Sequence, residues 1–247
     1  MTDPQGPAAP VSFSSQRPTT SGERCYDIEQ NEMTTMDGTP RRPTSAAESI
    51  AREIQNGGHR SRGCRIWIVG HSFITWAFKH AQERPYGVHL DLTKYNATIR
   101  WLGSRGMCWD ELLPCLQRSL VRFGLPQILI IHLGGNDWGA MSGRKFIAMA
   151  RKDLTSAMAL LQSTIICWSD IIPRPAEMNR KIWKRCRAKA NRQIGAWLTL
   201  FGGRHICHEW SWECGKGLFR PDGVHLSFIG QDLFLNSFQD ALEALLR

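Results

Sequence analysis

Four short polar blocks carry the residue types that acyl transfer requires: a hydroxyl, an imidazole, a carboxylate and amide donors. They are Gly70-His71-Ser72, Gly103-Ser104-Arg105-Gly106, Gly134-Gly135-Asn136-Asp137 and Pro221-Asp222-Gly223-Val224-His225. A serine hydroxyl is a weak nucleophile until a neighbouring base takes its proton, and an imidazole can accept and return that proton near neutral pH. Ser72 is therefore the candidate nucleophile and His225 its candidate base. Asp222, on the same short loop as His225, is placed to hold the other ring nitrogen. Each residue alone has an ordinary reading: Ser72 as a helix cap, Pro221-Asp222-Gly223 as a turn, Asn136-Asp137 as a loop or cap. Their joint arrangement favours chemistry for Ser72, Asp222, His225 and Asn136, and leaves Asp137 a structural role.

The elements that must position these blocks begin near Arg65, where short apolar runs start to alternate with helical stretches. That alternation predicts βαβ units and a parallel sheet. Strands are expected at 65–69, 98–102, 127–133, 164–168 and 204–207, and helices at 74–83, 109–123, 144–161, 177–201 and 228–246. In the last helix Phe234, Phe238, Ala241, Leu242 and Leu245 form one apolar stripe for packing on a sheet. Right-handed crossovers put helices on both faces, so the expected architecture is a three-layer α/β/α sandwich around a five-stranded parallel sheet. Ligands of such sheets bind beyond the carboxyl ends of the strands, where all four polar blocks fall.

Residues 1–62 are rich in Pro, Ser, Thr, Gly and charge without a sustained apolar period, which predicts disorder apart from a short helix starting near Ser45. Residues 63–247 then form one domain. Of the 247 residues 42% are hydrophobic, enough for a sizeable core, and the formal charge is +9. A basic balance serves solubility first, and attraction to nucleic acid or an anionic membrane surface second. No apolar run is long enough for a membrane span and no secretory leader is evident, so an intracellular, cytoplasmic location is expected. The eight cysteines show no paired framework and are expected to be reduced and mostly buried.

The four blocks, in this order, resemble the SGNH or GDSL hydrolases: GHSF with Ser72, a glycine block with Gly106, GGND with Asn136, and DGVH with Asp222 and His225. The resemblance spans about 65–246 and implies a flavodoxin-like SGNH hydrolase fold acting on an ester or thioester through an acyl-enzyme, without a cofactor. It implies a Ser72, Asp222, His225 triad and an oxyanion hole from the Ser72 N–H, the Gly106 N–H and the Asn136 side chain. Gly103 remains an alternative to Gly106. The chain departs from the family pattern in carrying His71 where an Asp usually precedes the nucleophile. A looser likeness to the SGNH-like domains of vertebrate mobile elements, such as the first reading frame of certain non-LTR retrotransposons, implies a second reading, an inactive binding module associated with nucleic acid.

Other signals are weaker. The G-x-S-x-G of a nucleophile elbow would need glycine where Ile74 stands, and no G-x-G-x-x-G follows the first strand. His205, Cys207, His208 and Cys214 match no common zinc spacing, so no metal is expected. Lys181, Arg185 and Lys189 lie in a basic run that could contact nucleic acid or an anionic membrane, though a solvated helix face is the commoner reading. Trp138, Trp210 and Trp212 are candidates for the pocket rim, or simply core.

Overall fold

The computed structural model describes residues 63–138, 141–177, 180–208 and 217–247. The N-terminal segment with its expected helix, Cys25, Trp210, Trp212 and Cys214 lie outside the described residues. Five strands, β1 (Cys64–Gly70), β2 (Ala97–Gly103), β3 (Ile128–His132), β4 (Ile165–Ser169) and β5 (Arg204–Ile206), form a single all-parallel sheet in the order β2-β1-β3-β4-β5. Five helices follow the same chain order: α1 (Ser72–Glu83), α2 (Leu112–Phe123), α3 (Gly143–Leu160), α4 (Lys181–Leu200) and α5 (Phe228–Leu246).

The central strands are apolar on both faces, as a sheet covered on both sides requires. Ile66, Ile68, Ile128 and Ile130 pack against α1 and α5, together with Phe73, Phe78, Phe234 and Phe238. Trp67, Val69, Leu129, Ile131 and Trp168 point the other way, into α2, α3 and α4 with Trp109, Phe146 and Ile194. The period of two along each strand thus sorts the core into two layers, giving the three-layer α/β/α sandwich.

Two expected helices begin later than their apolar pattern suggests. Trp109–Glu111 is a single 3₁₀ turn in which Glu111 Oε2 accepts from the Cys108 N–H at 2.8 Å, and α2 starts only at Leu112. Pro114, which cannot donate to a helix interior, then falls harmlessly in the first turn of α2. Likewise Pro175–Glu177 is a separate 3₁₀ turn ahead of α4. Among the described cysteines only Cys115 and Cys167 are buried, Cys64, Cys108 and Cys186 are half-buried and Cys207 is exposed. The expectation of mostly buried thiols therefore holds only for the two that face the core; all six are free. No helix among the described residues is long and apolar enough to cross a membrane.

The strand order reverses direction between β1 and β3, and a parallel sheet opens its crevice for ligands at such a switch point. Two glycines let α1 leave β1 there at close range. A Cβ at Gly70 would overlap the His132 carbonyl oxygen of the neighbouring strand, and one at Gly103 would come within 2.6 Å of the Thr75 backbone nitrogen. Because the obstacle at Gly70 is backbone in a hydrogen-bonded sheet, it cannot rotate away. Gly70→Ala should lower unfolding free energy by about 3 kcal/mol. An unchanged urea midpoint would show that the β1–α1 junction is less constrained than this packing implies.

Candidate active site

Ser72 is the first residue of α1, but it does not cap the helix. His71 does: it is extended, 1% exposed, and its Nδ1 accepts from the Phe73 N–H at 3.4 Å. An aspartate at this position would serve the same end as an anion. His71 serves it as a neutral imidazole, because burial and then the nearby Arg174 and His225 hold it well below the usual histidine range. The cap leaves the Ser72 hydroxyl free to meet another partner.

That partner comes from far along the chain. His225 Nε2 lies 3.2 Å from Ser72 Oγ, and His225 Nδ1 lies 2.8 Å from Asp222 Oδ2. The other carboxylate oxygen, Oδ1, accepts from the Val224 N–H at 2.8 Å and the His225 N–H at 2.9 Å. Partial burial pushes the Asp222 carboxyl up, but the His225 side chain and these two backbone donors outweigh it and hold the group at about 2. The aspartate is thus a fixed anion on the far side of the ring. The loop itself is closed by the Arg220 N–H donating to the His225 carbonyl at 2.7 Å and by a left-handed Gly223 at the turn. Ser227 then caps α5, accepting from the Gly230 N–H at 3.2 Å.

On the other side of Ser72, Asn136 follows β3. Its Nδ2 donates to the Met107 carbonyl at 3.0 Å, and its Oδ1 accepts from Arg174 Nη2 at 2.8 Å. A guanidinium has no acceptor, so the atom it touches must be the amide oxygen. The orientation of Asn136 is thereby settled, with a second amide hydrogen left for a ligand. Gly106 is exposed with φ +74, and nothing within 4 Å crowds the position of its absent Cβ. Gly103, by contrast, ends β2 packed on α1, so Gly106 is the open glycine of this block. Asp137 is buried and accepts from the Trp109 N–H at 3.0 Å, a structural contact.

Beneath the surface pair runs a second chain of polar groups. His132 Nδ1 and His208 Nε2 each lie 2.9 Å from Ser169 Oγ. Ser169 is fully buried, so this serine–histidine contact has no path for a substrate. Burial, with nearby cationic or histidine groups, lowers His132 well below its ordinary range and His208 to about 3. Both are neutral polar filling between β3, β4 and α5.

Several functional neighbours escaped the reading of the sequence. Arg174 lies in the loop after β4, the one strand end whose polar residues were passed over. Trp76 sits one helical turn beyond Ser72, its ring centroid 6.4 Å from that of His225. The expected rim residue Trp138 packs on Phe146 at 4.9 Å and lines a groove with Met141 and Trp183 instead. Of the four residues weighed as zinc ligands, Cys214 lies outside the described residues and His208 turns inward to Ser169. Asp170, His205 and Cys207 do lie together, each offering one ligand atom within 4.8 Å of the others, with His205 Nε2 at 2.5 Å from Asp170 Oδ1. Lys181, Arg185 and Lys189 are exposed along one side of α4.

No family model and no curated protein matches the sequence. Solved structures do match it in fold. A member of the lipolytic G-D-S-L family from Veillonella parvula superposes with a TM-score of 0.59 at 16% identity, covering 75% of this chain and 100% of that one. A GDSL-like lipase from Bacteroides thetaiotaomicron gives 0.56 at 16% identity, covering 79% and 97%. A carbohydrate esterase family 3 protein from Talaromyces cellulolyticus gives 0.57 at 16% identity, covering 74% and 98%. The chain has the SGNH hydrolase fold.

Asp222 is held as an anion by contacts that exist only in the folded loop, so its contribution is present above the ordinary carboxylate range and is lost as pH falls through about 2. In the carbon NMR spectrum the Asp222 side-chain carboxylate signal should persist at its ionised position from neutral pH down through about pH 4. Asp222→Asn should abolish that signal at neutral pH. Its loss from the wild-type spectrum near pH 4 would mean that the carboxylate is not held as described.

Proposed function

We propose that this chain is an SGNH-type serine esterase or acyl hydrolase that cleaves an ester or thioester through an acyl-enzyme. The observation that carries the reading is the linear relay from Ser72 Oγ to His225 Nε2 at 3.2 Å and from His225 Nδ1 to Asp222 at 2.8 Å. That arrangement suits a nucleophile, a base and an orienting anion. Ser72 Oγ attacks the acyl carbon while His225 Nε2 takes its proton. The negative charge that develops on the carbonyl oxygen is met by the Ser72 and Gly106 N–H groups and the free amide hydrogen of Asn136. His225 then returns the proton to the leaving alcohol or thiol. Water, deprotonated by the same imidazole, attacks the acyl-serine and releases the acid.

Arg174 has a positioning part in this scheme. By holding Asn136 Oδ1 it turns the amide donors toward the site, and its charge adds to the field at the oxyanion. Two of the structural relatives are a lipase and a carbohydrate esterase, which agrees with the class of bond proposed here.

Ser72→Ala should abolish hydrolysis of a short p-nitrophenyl ester and labelling by a fluorophosphonate probe. Asn136→Ala should lower kcat by on the order of a hundredfold to a thousandfold, as loss of one oxyanion donor does. Activity and labelling retained in a folded Ser72→Ala protein would refute the assignment.

A second reading, a nucleic-acid-binding module, is favoured by the exposed row of Lys181, Arg185 and Lys189 on α4, spaced one turn apart on a single helix side. Labelled RNA should then shift at low salt and release steeply as salt rises, with the triple charge reversal of this row weakening the shift. No shift at low salt would exclude it.

A further inference from the structure

The rim around Ser72 carries four cations. Trp76 lies on the same side of α1 as Ser72, and three of them gather on its indole: Arg220 Cζ at 4.1 Å from the ring centroid, Lys79 Nζ at 5.1 Å and Arg105 Cζ at 5.4 Å. Arg105 is next to the open Gly106, and Arg220 belongs to the loop that carries His225. The fourth, Arg174, is bonded to Asn136 and approaches the Phe73 ring at 6.0 Å. Among the described residues no carboxylate lies within ion-pair distance of Lys79, Arg105, Arg174 or Arg220. Four cations elsewhere have carboxylate partners, Arg84 with Asp232 at 3.2 Å, Lys94 with Asp91 at 2.8 Å, Arg180 with Glu177 at 2.8 Å and Arg247 with Glu243 at 2.9 Å; Lys79, Arg105 and Arg220 are set apart by sharing one ring.

Like charges crowded on one ring repel, and the indole face offers each only a modest attraction that does not cancel their mutual field. Asp222, the carboxylate on the same loop as Arg220, is already engaged by the His225 ring and two backbone donors. His71, which caps α1 as a neutral imidazole where an aspartate would add a negative charge, leaves the rim more positive still. A site with this field concentrates anions and orients them before reaction. Arginine and lysine together suit an oxyacid group, since the guanidinium fork matches a carboxylate or phosphate and the ammonium adds a point charge.

We propose that Arg105, Arg220 and Lys79, arrayed on Trp76, form an anion subsite, so that the ester hydrolysed at Ser72 carries a carboxylate or phosphate. Trp76 follows Ser72 by one helical turn, a rise of about 6 Å along α1, so the cluster borders the nucleophile. The inference rests on the esterase reading and adds the substrate class to it. The anion belongs to the acyl part or to the alcohol part of the ester, and the two are separable by experiment.

One arm compares the mono-p-nitrophenyl ester of glutarate with neutral p-nitrophenyl pentanoate; the other compares an acylglycerol phosphate with the neutral monoacylglycerol. In one arm kcat/KM for the anionic ester should exceed that for its neutral partner by about tenfold, falling toward parity as salt rises from about 0.05 to 0.5 M. The double variant Lys79→Gln, Arg105→Gln should cut this ratio at least about threefold. The arm that responds identifies which side of the ester bears the charge. No preference in either arm, or a preference that the double variant leaves intact, overturns the subsite. Should no ester be hydrolysed at all, the esterase reading fails and calorimetry with glutarate and with inorganic phosphate decides the subsite alone. Heat of binding lost in the double variant sustains it, and absence of heat removes it.

Discussion

The contact between His225 Nε2 and Ser72 Oγ joins groups 153 residues apart, and almost every feature of the molecule can be read as a condition for it. One end is set by the β1–α1 junction, where Gly70 allows the chain to turn against β3 and His71 caps the helix without using the serine. The other end is set by α5, which must lie on the same face of the sheet as α1. Phe234 and Phe238, fully buried with ring centroids 4.5 Å apart, fasten α5 there. Phe234 also meets the Phe73 ring at 6.2 Å, so the helix that follows the base touches the residue that follows the nucleophile. Such packing holds side chains to a fraction of an ångström, which a relay of hydrogen bonds demands.

Electrostatics around that contact are arranged asymmetrically. Below it lie His71, His132 and His208, whose burial keeps all three neutral. Polar but uncharged, His132 and His208 both hold the Ser169 hydroxyl without placing an ion in the core. Above it the charges are real: Asp222 behind the imidazole, Arg174 behind the amide. In the proposed reaction the anion would stabilise the imidazolium that forms as the proton moves, and the cation would stand near the oxygen that becomes negative. Neutral groups inside and opposite charges at the two poles of the reacting bond describe a site organised for charge separation.

Much of this was legible in the residues. The alternation of apolar runs with amphipathic stretches located all five strands within a residue or two; the central strands, buried on both faces, are nearly all apolar and stop abruptly, whereas the edge strands β2 and β5 are only partly so. Ser72, Asn136, Asp222 and His225 were legible for a related reason: each directly follows an apolar run or sits in a compact polar turn. Arg174 was not, since one arginine in the Asp170-to-Arg174 loop looks like any solvated cation until Asn136 is found at its tip. The cluster on Trp76 was hidden for another reason. Lys79, Arg105 and Arg220 come from three separate elements, and only the folded rim shows that they share a ring. The helix starts were misplaced where apolar periodicity continues through a 3₁₀ turn, as at Trp109, whose indole is buried although its backbone is not yet α-helical.

A shared fold cannot by itself carry an activity, because folds of this kind host many chemistries. At 16% identity the superposed structures fix the architecture and no more. What raises the reading above analogy is a comparison within the molecule. Among the described residues two serines meet a histidine, Ser72 with His225 at 3.2 Å and Ser169 with His208 at 2.9 Å. The shorter contact joins a fully buried serine that is shared with a second imidazole. The longer one reaches the surface and is backed by an anion, and the amide proposed to serve it, Asn136, has a hydrogen to spare. Distance alone would choose wrongly. Access, orientation and an uncompensated donor pick out Ser72, and those are the properties a substrate would meet.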